Sequence, residues 1–122
     1  MGLSYRKYFY EDYFDRQSGR NYKDDVNRKF LDEQYQFQKE VIPYLPAKNK
    51  EIEILDLGCG IGSLIEACKK KGYKNLIGID ISDQQVEIAH QLNVHEVIKA
   101  DIFDYLKKHE SAFDVISGMD II

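Results

Sequence analysis

Apolar positions in this chain recur with one period before Pro43 and with another after Glu51. Between Asp24 and Val41 they fall at Val26, Phe30, Phe37 and Val41, in steps of four and seven. That spacing predicts one amphipathic helix over 25–42, with Asp24 or Asp25 as its cap and Pro43 and Pro46 marking its end. Beyond a charged linker at 47–51, short apolar runs alternate with helical stretches. The expected elements are strand 52–57, helix 62–71, strand 76–80, helix 83–92, strand 96–99, helix 102–109 and strand 113–117. Strictly alternating strand and helix is the pattern of an α/β protein with a parallel sheet and right-handed crossovers.

Local signals support these boundaries. Gly72 follows Lys69, Lys70 and Lys71, a helix stop with cations at the negative end of the helix dipole. Ser82 with Gln85 three residues on is a capping-box pattern. The first 23 residues follow no clear period, yet they hold Tyr5, Tyr8, Phe9, Tyr10, Tyr13, Phe14 and Tyr22, too aromatic for a solvated tail. Two units follow: residues 1–46 as an aromatic arm and amphipathic helix, and residues 47–122 as the α/β unit.

Composition narrows the class. The chain has 122 residues, 43% of them hydrophobic, which is enough for one domain with a real core. Its net charge is -4 and its lysines are dispersed, so no nucleic-acid footprint is expected and a small-molecule substrate fits better. Cys59 and Cys68 form no Cys-x-x-Cys pair, and the N-terminus reads as no secretory leader. No apolar stretch approaches the roughly 18 residues that span a bilayer. These features lead to the expectation of a cytoplasmic protein with reduced thiols and no membrane partner. His90, His95 and His109 lack ligand spacing, so no metal is expected.

The chemistry concentrates in Ile54-Leu55-Asp56-Leu57-Gly58-Cys59-Gly60-Ile61-Gly62, an apolar strand running into a turn with alternate glycines. Glycines there allow tight turning and close approach of a ligand to the backbone. A dinucleotide fingerprint counted from Gly58 needs glycine at 63, where this chain has Ser63, and the Gly-Lys-Ser or Gly-Lys-Thr of a phosphate loop is absent. Asp80 closes the second predicted strand 18 residues after Gly62, where an acidic side chain can accept from ribose hydroxyls. A nucleotide-dependent oxidoreductase is thereby disfavoured, though the fold alone does not exclude it.

Ile54 to Gly62 resembles motif I of class I S-adenosylmethionine-dependent methyltransferases. Three further stretches agree in order and spacing: Gly78-Ile79-Asp80-Ile81-Ser82, Ala100-Asp101-Ile102-Phe103 and Phe113-Asp114-Val115-Ile116. The resemblance covers about residues 52–120. It implies a Rossmann-like doubly wound sheet in which this chain supplies four parallel strands, order 3-2-1-4, of the family's seven. It also implies S-adenosylmethionine as cofactor and S-adenosylhomocysteine as product. Gly58, Cys59 and Gly60 would face the methionine part and Asp56 its ammonium. Asp80 would hold the ribose hydroxyls, Ile81 would pack on the adenine, Asp101 and the Ile102 amide would meet its edge, and Ser117 and Gly118 would close the pocket near the methyl. Asp120 is the candidate base for an acceptor that must lose a proton.

Other readings stand beside these. Asp56 and Asp80 also suit turn caps, Asp101 an N-cap, and Asp104, Asp114 and Asp120 turns or caps. The arm reads either as packing against the sheet or as a lid offering tyrosine faces to a sulfonium. The apolar edge of the fourth strand, with Ile121 and Ile122 trailing, suggests self-association. The expected function is methyl transfer to an unidentified small-molecule acceptor by a fragment of a longer catalytic domain, with a non-catalytic cofactor-binding or regulatory half-domain as the alternative.

Overall fold

The structure, a computed structural model, describes residues 22–118. The aromatic arm before Tyr22, the Tyr22 side chain, and Asp120 with its neighbours from Met119 to Ile122 lie outside the described residues. The lid reading and the candidate base therefore rest on sequence.

Helix α1 spans Tyr22–Glu40 and is followed by a 3-10 turn at Ile42–Tyr44. The helix stops two residues before the expected end because Pro43 has no N–H to continue the ladder; it sits instead in the tighter turn. The α/β unit then runs β1 (Glu53–Leu57), α2 (Ser63–Lys70), β2 (Asn75–Asp80), α3 (Asp83–Gln91), β3 (Val97–Lys99), α4 (Ile102–Lys108) and β4 (Val115–Ser117). The described strands form one sheet, parallel as the alternation predicts and in the order β3-β2-β1-β4 that the family resemblance implies. β4 is shorter than expected, since Phe113 and Asp114 are used for docking: Glu53 N–H donates to Asp114 Oδ2 at 2.8 Å and Asp114 N–H returns to the Glu53 carbonyl at 2.9 Å.

Side chains alternate across the sheet, so β1 serves two cores. Ile54 joins Phe30, Ile65, Val86 and Val97 on the face covered by α1, α2 and α3. Leu55 joins Ile79 and Tyr105 on the opposite face, covered by α4. Burial on both faces explains why the strand reads as a near-continuous apolar run. α2 ends as Gly72 enters the left-handed region at φ 97° and Tyr73 N–H donates back to the Cys68 carbonyl at 3.2 Å.

Candidate functional site

The strand order reverses between β1 and β4, the place where open α/β sheets leave a crevice at the strands' carboxyl ends. The register sets Gly78, Asp56 and Ser117 side by side at that point, on β2, β1 and β4. Asp56 is 4% exposed. Beside it the Ser117 hydroxyl is buried with no hydrogen-bond partner. An orphaned buried hydroxyl costs free energy, so the row offers an unused polar group at the crevice.

The glycine corner arches over this row. Gly58, Gly60 and Gly62 take φ values of 66°, 59° and 86°, all in the left-handed region that side chains disfavour. Gly62 is also steric: a Cβ there would lie 2.8 Å from Val94 Cγ1. Cys59 points inward, where a Cβ on Gly78 would meet its Sγ at 2.8 Å. The smallest residue in β2 thus makes room for the corner. The Cys68 thiol is held protonated. Burial first, then the charge of Asp56, push Cys68 from 9.0 up to about 12, with Lys50 pulling the other way, so its reactive thiolate is suppressed at neutral pH.

Asp80 clasps the corner. Gly60 N–H donates to its Oδ2 at 2.8 Å and Ser82 N–H to its Oδ1 at 2.9 Å, and the carboxylate is 6% exposed. This changes the expected capping box. Ser82 Oγ accepts from Gln85 N–H at 3.3 Å, but Asp80 has taken the Ser82 amide that the glutamine would otherwise reach. Gln85 Oε1 is left buried without a partner. Each carboxylate oxygen keeps a further lone pair, so the clasp leaves acceptor capacity for ligand hydroxyls.

Asp101 caps α4: Oδ1 accepts from Phe103 N–H at 3.0 Å and Asp104 N–H at 3.1 Å. Both bonds fall on one oxygen. Ile102 occupies the first helical position, where an N–H has no partner within the helix. Ile81, just past β2, and Phe103, in the first turn of α4, stay 56% and 76% exposed, two large apolar side chains suited to a flat ring. Phe103 stood in a matching motif but the sequence assigned it no role. Gly118 follows β4 and is exposed.

The crevice therefore brings Asp56, Gly58, Cys59, Gly60, Asp80 and Ser117 together at the ends of β1, β2 and β4. Asp101, Ile102 and Ile81 stand at the adjoining β2–β3 end. The sequence carries no sign that Ser63 bonds Glu33, because a bond between residues 30 positions apart leaves no local signal. Among the described residues no cluster of three or more His, Cys, Asp or Glu is arranged to hold a metal, and no helix is long and apolar enough to cross a membrane.

Comparison with known proteins gives this geometry a context. The profile of the family described as "Methyltransferase domain" matches residues 5–122. A ribosomal protein L11 methyltransferase from Thermotoga petrophila is 35% identical over 69 residues, which is 52% of this chain and 25% of that protein. A ubiquinone biosynthesis O-methyltransferase from Saccharophagus degradans is 34% identical over 82 residues, 62% of this chain and 34% of that protein. The crystal structure of a SAM-dependent methyltransferase from Archaeoglobus fulgidus superposes with a TM-score of 0.57 at 27% identity, over 79% of this chain and 42% of that one. The chain spans about a quarter to a third of the length of these two curated relatives.

Proposed function

The chain belongs to the methyltransferase-domain family, and we propose that it holds S-adenosylmethionine at the carboxyl ends of its strands for methyl transfer to a small-molecule acceptor. The observation that carries this reading is the clasp of Asp80 on Gly60 at the end of β2. It couples a backbone cradle to a buried carboxylate that still has lone pairs for a ribose. The remaining residues fit the same group. Asp56 supplies negative charge for an ammonium, Ile81 and Phe103 supply apolar surface for a purine, and the orphaned Ser117 hydroxyl supplies a polar contact near the reacting end.

When bound, the cofactor supplies a methyl group already activated on a sulfonium. The chain's own residues then have to bind, orient and exclude water, since an in-line displacement needs alignment more than a protein nucleophile. Asp120 is proposed as the base for an acceptor hydroxyl. The acidic net charge and the O-methyltransferase relatives support a small acceptor. The L11 methyltransferase relative favours a second reading, a protein side chain as acceptor.

We take the acceptor-selecting elements to lie outside these 122 residues, a reading supported by the share of each relative that is matched. The same share supports the alternative of a cofactor-binding half-domain without turnover. We also retain residues 1–46 as a separate arm and helix, and self-association through the outer edge of β4. A monomer by light scattering at high concentration rules the self-association out.

Calorimetry tests the central claim. S-adenosylhomocysteine is expected to bind while NAD does not, and the reverse result overturns the reading. Methylation of small phenols or of protein substrates then separates the two acceptor classes, and binding without any turnover selects the half-domain.

A further inference from the structure

The contact between α1 and α2 is built from an apolar stripe with a polar spot at its centre. Val26, Phe30 and Phe37 pack into the core from α1, joined by Val41 just past its end. Such contacts are non-directional, so they set how close two helices lie but leave their relative slide weakly fixed. Ser63 supplies the direction. It is fully buried at the first position of α2, and its hydroxyl donates to Glu33 Oε1 at 2.7 Å. An O–H···O⁻ bond of this length belongs to the strong, geometrically demanding class.

The polar spot is not generic solvation of a helix seam. Gln34, the next residue, is 2% exposed, and neither its Oε1 nor its Nε2 has a partner. Of two adjacent polar side chains turned toward the interior, the carboxylate holds the seam and the carboxamide gains nothing from it. The residue that Glu33 grips is joined directly to the glycine corner. Gly62 N–H donates to the Cys59 carbonyl at 3.1 Å, and the Gly62 carbonyl accepts from Glu66 N–H at 2.9 Å. Gly62 is meanwhile wedged against Val94 and Val97. A shift of Ser63 must therefore move Gly62 and with it the corner.

We propose that Glu33 is a positioning residue for the cofactor site: by accepting a hydrogen bond from Ser63 it registers α1 on α2 and holds the Gly58–Gly62 corner in its binding conformation. The proposal rests on the corner being the S-adenosylmethionine cradle. It makes α1, none of whose described side chains stands among the crevice residues, part of what sets cofactor affinity.

The test uses the whole chain with Glu33→Ala, Glu33→Gln, Ser63→Ala and the Glu33→Ala/Ser63→Ala double variant. It measures S-adenosylhomocysteine affinity by calorimetry, and amide hydrogen exchange at Gly60 and Gly62 without ligand. Loss of the bond is expected to weaken binding about three- to tenfold and to speed exchange at Gly62. Glu33→Gln keeps an acceptor oxygen and should stay within about twofold of the parent. The double variant should be no worse than the poorer single one. Unchanged affinity and exchange in Glu33→Ala and Ser63→Ala, additive losses in the double variant, or equal damage from Gln and Ala at position 33 each overturn the proposal. Ser63→Ala removes a single oxygen and keeps the test decisive if the Glu33 variants fail to fold. If the parent chain binds no S-adenosylhomocysteine, the cofactor reading fails, and exchange at Gly62 still decides whether Glu33 holds the corner.

Discussion

The backbone amide of Gly60 donates to Oδ2 of Asp80 at 2.8 Å, tying the glycine corner after β1 to the end of the neighbouring strand. The same carboxylate accepts from Ser82 N–H, so one side chain organises two turns before any ligand arrives. Asp80→Ala is therefore expected to act on both fold and site. Loss of two bonds to a charged acceptor should lower stability by about 2–4 kcal/mol, with faster hydrogen exchange at Gly60 and weaker S-adenosylhomocysteine binding. Denaturant titration, exchange and calorimetry check this; a variant as stable as the parent, with Gly60 equally protected, contradicts the clasp.

Alanine at two glycines separates two kinds of constraint. Gly78→Ala suffers from crowding alone, because its new Cβ lies 2.8 Å from Cys59 Sγ and 2.9 Å from Cys59 Cβ. Gly62→Ala adds a left-handed φ of 86° to a clash with Val94 and Val97. The expected losses are about 1–3 kcal/mol for Gly78→Ala and about 2–5 kcal/mol for Gly62→Ala. Chemical unfolding of the two variants in parallel gives the order, and Gly78→Ala proving the costlier would contradict it.

The buried Cys68 thiol sets an alkaline limb of stability. Its pKa rises from 9.0 to about 12, through burial and then the charge of Asp56, so the folded state keeps a proton that the unfolded chain releases. The associated stability is fully present below pH 9 and is lost as pH rises toward 12, at about 1.4 kcal/mol per pH unit. Burial pushes the Tyr105 phenol in the same direction, so the contrast needs a variant. Cys68→Ala should flatten the fall in unfolding free energy between pH 9 and pH 11; matching slopes for variant and parent would exclude the thiol as its source.

Gln34 is expected to be a liability to the fold. Its carboxamide is buried with both polar atoms unpaired on the apolar face of α1, and leucine has a similar volume and no polar group to desolvate. Gln34→Leu should raise stability by about 1–3 kcal/mol, seen as a higher melting temperature. A lower melting temperature would show that the amide has a partner in solution.

Much of the fold was legible because its elements are short and strongly patterned. The run Ile54-Leu55 marked a strand buried on both faces, and Lys69 to Gly72 marked the end of α2 through chemistry contained in four residues. The limits of α1 and β4 were less legible. Pro43 diverts the chain into a 3-10 turn, and Asp114 spends its side chain on a contact 61 positions away. Ser82 and Gln85 make the same point: the capping box was written locally, and Asp80 from the preceding strand took one of its donors.

The sequence by itself determined the order of strands and helices, the glycine corner and the identity of the acidic residues around it, since periodicity, turn chemistry and motif spacing are local properties. Tertiary structure decided what those residues touch. Only folding set Asp56 in register with Ser117, brought Gly60 under Asp80, made Gly78 the space for Cys59, and delivered Glu33 to Ser63. Each of these depends on parallel pairing or helix packing between distant segments, and hydrogen bonds and steric fit of that kind act over a few ångströms of space whatever the separation along the chain.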